Sequence, residues 1–137
     1  MRLGRGRNDG MPSFGGNVLT SDPERFRRNA AIYERHPELA LGQPSIAWVN
    51  AVCKAAATAT DSEFLATIHI PALFVAAGAD RVVSTAAVED CARRMRSASL
   101  LTIDSARHEM LQEADVYREQ LLAAARAFML GEVPAET

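Results

Sequence analysis

Apolar and polar positions divide this chain into two stretches of different character. Phe26, Ala30 and Tyr33 recur at spacings of four and three, the period of one helix face. Ser21-Asp22-Pro23-Glu24, just ahead of them, reads as a capping box with proline in the first turn, and Pro37 ends the pattern. A helix is therefore predicted from Ser21 to Pro37. Ile46, Val49, Cys53 and Ala56 form a second stripe, predicting a helix from Pro44 to Thr58 with Leu39 to Gln43 as the turn between. The pattern changes at Ile68. After Ile68-His69-Ile70-Pro71, the run Ala72 to Ala77 is apolar without interruption and ends at Gly78, which is the signature of a strand covered on both faces. Ser84 to Ser97 reads as an amphipathic helix turning Val88, Cys91, Ala92 and Met95 inward, and Leu100 to Ile103 as a second short strand. Gln112 to Leu130 closes the pattern as a helix with Leu121, Leu122, Ala125, Phe128 and Met129 on its apolar side. Residues 1–19 are glycine-rich, lack a usable period and read as loop.

Strand, helix, strand is a βαβ unit, so the expected class is α/β with parallel strands and a right-handed crossover. Parallel strands deliver both carboxyl ends to one edge of the sheet, where open α/β folds build their sites. The first strand exits into Gly78-Ala79-Asp80, and the second into Asp104-Ser105-Ala106-Arg107-His108. Neighbouring strands lie about 4.8 Å apart, so Asp80 and His108 can meet across the two loops. An acid and an imidazole so placed are two thirds of a nucleophilic triad, the imidazole as general base and the carboxylate fixing its tautomer. The competing reading is that Asp80, following a glycine, is a turn residue that caps the helix at Ser84.

Composition narrows the classes. With 137 residues the chain is sized for one domain, and 48% apolar residues exclude wholesale disorder. Fifteen basic against 17 acidic side chains give a net charge of −2, which argues against phosphate-driven nucleic-acid binding. No apolar run approaches the ~20 residues of a membrane helix. Met1 to Gly10 carries Arg2, Arg5, Arg7 and Asp9 with no apolar stretch behind them, so it does not read as a secretory signal. Cys53 and Cys91, far apart in predicted helices, form neither a disulfide framework nor a metal cluster, and a reducing, cytoplasmic setting is expected. Other chemistry-bearing residues have ordinary readings. Both cysteines are expected to be buried and inert, and Ser84 and Ser105 to be cap and turn serines. His36 is expected at a helix end, His69 as a satisfied histidine at a strand entrance, Arg81 as a solvated charge and Asp104 as a turn cap. Glu109 adjoins His108 but is the poorer partner, because neighbouring side chains seldom point together. Gly4-Arg5-Gly6 has no strand before it and is no phosphate loop. Phe26, Tyr33 and Trp48 are read as core packing, with an acyl-chain pocket as the alternative.

Three segments carry a resemblance. Asn17-Val18-Leu19-Thr20-Ser21-Asp22-Pro23-Glu24-Arg25-Phe26, with Ile32-Tyr33-Glu34 and Leu39-Ala40-Leu41-Gly42, resembles the cap region of the lysophospholipase and monoacylglycerol-lipase (serine aminopeptidase-type) branch of the α/β hydrolases. Gly78-Ala79-Asp80-Arg81-Val82-Val83-Ser84 resembles that branch's acid loop, and Ser105-Ala106-Arg107-His108-Glu109-Met110 its histidine loop. The likeness spans residues 14–130 and is closest to the bacterial lysophospholipase type. It implies Asp80 as triad acid and His108 as triad base, with neither metal nor organic cofactor. It further implies a lead-in over 1–19, part of a helical cap over 20–66, a C-terminal βαβα portion of the hydrolase core over 67–131 and a tail over 132–137.

The branch's nucleophile sits in Gly-x-Ser-x-Gly, and no such motif occurs in these 137 residues. The expectation is therefore a C-terminal fragment of a serine ester hydrolase, inactive alone. Its implied partners are a lipid ester (lysophospholipid or monoacylglycerol) and the N-terminal half of the hydrolase, with peripheral membrane contact in the full enzyme and no nucleic acid. The alternatives are a catalytically silent interaction module or truncated product, or a peptidase or thioesterase of the same fold. A sheet of two strands is marginal, and the open edge of the first is expected to drive self-association or loose packing.

Overall fold

A computed structural model of the chain describes residues 13–39 and 44–131. The Gly4-Arg5-Gly6 segment, most of the Leu39 to Gln43 turn with its Ala40-Leu41-Gly42 motif, and the tail over 132–137 lie outside the described residues. A 3-10 turn at Phe14–Gly16 leads into α1 (Pro23–Arg35). Then come α2 (Ile46–Ala59), α3 (Ser62–Ala66), β1 (Ala72–Ala77), α4 (Thr85–Arg94), β2 (Ala98–Ile103), a 3-10 turn at Met110–Gln112 and α5 (Asp115–Leu130). The strands pair in parallel, with Ala72 opposite Ala98 and Ala77 opposite Ile103. This is the α/β arrangement expected of part of an α/β-hydrolase fold. β2 begins two residues earlier than the apolar run indicates, because Ala98 and Ser99 already pair with Ala72 and Leu73.

The two strands are covered from both sides. Val75, Ala77, Leu101, Ile103 and Ala106 pack with Tyr117 and Leu121 of α5 and with Met110. On the opposite face Glu89 of α4 accepts a hydrogen bond from the Thr102 hydroxyl, and Cys91, Ala92 and Met95 are buried. The inward stripe expected for α4 is therefore the one observed, with Val88 half-buried. Ser84 caps this helix, its hydroxyl accepting from the Ala87 N–H at 3.2 Å.

Expectations are corrected in three helices. The N-cap of α1 is Asp22 and not Ser21: its carboxylate accepts from the N–H groups of Glu24 and Arg25 at 2.8 and 2.9 Å, while Ser21 is engaged elsewhere. The stripe of α2 is not buried: Ile46, Val49, Cys53 and Ala56 are all exposed, so Cys53 is not an inert core thiol. Only the short α3 packs appreciably against this helix among the described residues. In α5, Met129 lies on the exposed side, at 75%. The helix also starts at Asp115 and not at Gln112, because the chain spends Met110–Gln112 in a separate turn. No helix among the described residues is long and apolar enough to cross a membrane.

The ladder leaves one edge unpaired. Ala72 N–H donates to Ser97 O and Gly78 N–H to Ile103 O, both at 2.9 Å. A parallel ladder engages alternate residues, so Leu73 and Val75 direct their N–H and C=O groups away from β2. No other strand among the described residues meets that edge. Such an edge templates further pairing. Sedimentation of the purified chain is expected to show concentration-dependent association, and a monodisperse monomer across the range would contradict it.

Candidate active site

Both loops that leave the sheet at its carboxyl edge are tied to each other. Gly78 follows β1 where β2 turns away, and its N–H donates to Ile103 O. A Cβ at that position would lie 3.0 Å from Asp104 Cα, 3.1 Å from Ile103 O and 3.2 Å from Ser105 N. Only glycine lets the two backbones approach this closely. One residue on, Ala79 N–H donates to Ala106 O at 2.9 Å. The opposing loop turns through Ser105, whose φ of 63° is left-handed, and its Ala106 is fully buried.

This stitching brings Asp80 and His108 together. His108 Nδ1 lies 2.9 Å from Asp80 Oδ2, with the carboxyl side chain 5% exposed and the imidazole 34% exposed. The other oxygen, Oδ1, accepts from Val82 N–H at 2.7 Å and Val83 N–H at 3.0 Å. Asp80 thus is a turn residue and a histidine partner at once, one oxygen serving each task, whereas α4 takes its cap from Ser84. Burial alone pushes the Asp80 carboxyl upward, but the hydrogen bonds from His108, Val83 and Val82 outweigh it and hold the group below the ordinary aspartate range. An ionised carboxylate only accepts, so the proton between them sits on Nδ1, and Nε2 is the ring nitrogen left for a further partner.

Sequence reasoning missed Glu113, which is fully buried. Its Oε1 accepts from Arg107 N–H at 2.8 Å; its Oε2 accepts from Ser21 N–H at 2.9 Å, from the Ser21 hydroxyl and from Ala114 N–H at 3.1 Å. The Arg107 guanidinium, next door, donates to Asn17 O at 3.0 Å and Thr20 O at 2.9 Å. Glu109 N–H donates to Leu19 O at 2.8 Å. Arg25 of α1 donates to Glu113 O and pairs with Asp115. Asn17, Thr20 and Glu113, the buried polar residues among those described, all belong to this one network. It clamps the segment ahead of α1 onto the histidine loop. Its only sequence signal is an acidic residue shortly after the histidine motif, which periodicity cannot rank.

The remaining candidates fall as follows. Ser105 is exposed, and among the described residues neither it nor any other serine hydrogen-bonds His108. His36 caps the end of α1 as expected and faces Glu38 at 3.1 Å, both exposed. His69 is exposed and makes no side-chain hydrogen bond among the described residues, unlike the satisfied histidine expected. Asp104 is likewise exposed without capping its turn, and Arg81 is exposed as expected. A cleft of about 310 Å³ lies along α1, lined by Leu19, Phe26, Ile32, Tyr33 and Leu39, with Asn29 and Glu109 at its polar side. Asn29 and Glu109 also border a more open recess that contains His108. Phe26 and Tyr33 are therefore cleft walls, whereas Trp48 on α2 is 58% exposed.

Residues 7–115 match the family model for serine aminopeptidase, S33. No curated protein matches the chain.

Two outcomes are expected. Gly78→Ala should destabilise the fold by about 1–3 kcal/mol, because backbone atoms on both strands must shift, and urea denaturation will measure it. Glu113 is also held below the ordinary glutamate range: burial raises its pKa, but the bonds from Ser21, Arg107 and Ala114 more than offset that. A carboxyl depressed in the folded state contributes stability that is full above its unfolded pKa of about 4.3 and is lost as pH falls through the lower folded value. Denaturation midpoints should therefore fall steadily below about pH 5, and the fall should be shallower in Glu113→Gln, which starts about 1–3 kcal/mol less stable.

Proposed function

The chain belongs to the serine aminopeptidase, S33, family of α/β hydrolases, and from that premise we propose that it carries the acid–base half of a serine ester hydrolase acting on a lysophospholipid or monoacylglycerol. His108 is the general base and Asp80 the acid that orients it. The observation that carries the reading is the 2.9 Å contact between Nδ1 and an ionised Asp80, which leaves Nε2 as the accessible lone pair. In the reaction Nε2 takes the proton of a serine hydroxyl as its oxygen attacks the ester carbonyl, then returns that proton to the departing alcohol. Water attacks the resulting acyl-enzyme by the same route, releasing the carboxylic acid.

The nucleophile comes from a segment outside these 137 residues, in keeping with the missing Gly-x-Ser-x-Gly motif. Three serines are otherwise occupied or misplaced: Ser84 caps α4, Ser21 is bound to Glu113, and Ser105 shares the loop of His108 without reaching its ring. The apolar cleft along α1, which shares Asn29 and Glu109 with the recess of His108, favours an acyl chain over a polar peptide. A peptidase reading is the second choice, favoured by the family's own description.

The test is hydrolysis of a short-chain chromogenic ester by the purified chain, with a fluorophosphonate serine label and a His108→Ala control. No turnover and no label are expected. Turnover that disappears in His108→Ala, with one labelled serine, would place the nucleophile inside this chain and overturn the reading.

A further inference from the structure

One hydrogen bond of Glu113 holds a residue that flanks His108, a placement the Asp80 contact does not itself require. Arg107 N–H is held by Glu113 Oε1 at 2.8 Å, and Glu109 N–H is held by Leu19 O at 2.8 Å. Ala106, one step earlier, is fixed to the acid loop through Ala79 N–H. His108 thus sits between anchored peptide groups on either side, and little freedom is left in the backbone that aims its ring. The second oxygen of Glu113 does not bond to the histidine loop proper but to Ser21, 92 positions away in sequence. One carboxylate therefore joins two segments, and Arg107 repeats the link by donating to Asn17 O and Thr20 O.

We propose that Glu113 is a positioning residue for His108, acting through the backbone of Arg107, and that it makes the contact between the ring and Asp80 depend on the docking of the Asn17–Asp22 segment. The inference rests on the reading of His108 as general base. A ring displaced by about 1 Å no longer makes a good 2.9 Å hydrogen bond. Glutamine at 113 presents one acceptor oxygen in place of two, so it cannot accept from Arg107 N–H on one side and Ser21 N–H on the other. Loss of the clamp lets the loop relax while the two-stranded ladder, α4 and α5 keep their own contacts. Ser21 is the milder handle on the same link, since its hydroxyl can be removed with the Glu113 charge retained.

The experiment is imidazole nitrogen NMR on the full chain labelled at its three histidines, with His36 and His69 as internal references. Wild type should show His108 locked as the Nδ1–H tautomer, and Asp80→Asn should abolish that signature. In Glu113→Gln that remains folded by backbone amide spectra, the lock should be lost to an averaged ring, while His36 and His69 are unchanged. Ser21→Ala should move His108 the same way by a smaller shift. A wild-type ring lacking the Nδ1–H tautomer would overturn the dyad and this inference together. A locked wild-type ring that stays locked in folded Glu113→Gln would overturn this inference alone. Should Glu113→Gln unfold the chain, folded Ser21→Ala decides by the same criterion: a shifted ring supports the inference and an unmoved one overturns it.

Discussion

The parallel pairing of β1 with β2 is the constraint from which the site follows. Antiparallel strands would send the two loops to opposite ends, and no side chain of ordinary length could bridge a six-residue strand of about 20 Å. Parallel pairing puts Gly78 and Asp104 side by side, and the absence of a Cβ at Gly78 lets their backbones touch. From there the bond between Ala79 and Ala106 sets the register of the loops, and Asp80 and His108 face each other. The chemistry depends on a backbone contact made by residues with almost no side chain.

The second determinant is electrostatic. A fully buried carboxylate such as Glu113 costs several kcal/mol to desolvate unless its lone pairs are filled. Here four donors fill them, and three are backbone N–H or hydroxyl groups from the very segments that need to be held: Ser21 and Arg107. No buried side-chain nitrogen or oxygen among the described residues lacks a partner. An apolar residue at 113 could fill the same volume, but it would leave those donors unpaired. The charge is what joins two distant segments with directional bonds, which apolar packing cannot do.

How far the sequence disclosed this depends on the range of the interactions. Periodicity located β1 and the inward stripe of α4, because a strand covered on two faces and a helix covered on one leave local signatures. Asp80 and His108 were legible because topology alone puts both strand ends at one edge. Ser21 was misread as the cap of α1, since its true partner lies 92 positions away and Asp22 fills the cap equally well. Glu113 was invisible for the same reason. The apolar stripe of α2 was read correctly as a pattern and wrongly as burial: hydrophobic spacing states what a helix needs, not whether a partner is at hand.

That distinction links the fold to the proposed function. The polar side-chain inventory of the described residues is closed: each buried side-chain nitrogen and oxygen has a partner, and the Asp80–His108 pair is held from both sides. The apolar inventory is open, since Ile46, Trp48, Val49 and Val52 stand exposed on α2 and the outer edge of β1 meets no strand among the described residues. Hydrogen bonds are short-ranged and can be completed within two loops, whereas burial of an α/β sheet needs layers on both faces and neighbours at both edges. An acid–imidazole pair can therefore be assembled to good geometry while the described residues leave part of that demand for cover unmet. On the proposed reading, the same additional structure that would supply the serine would also bring apolar surface to the fold, so that assembling the catalytic group and completing the core are one event.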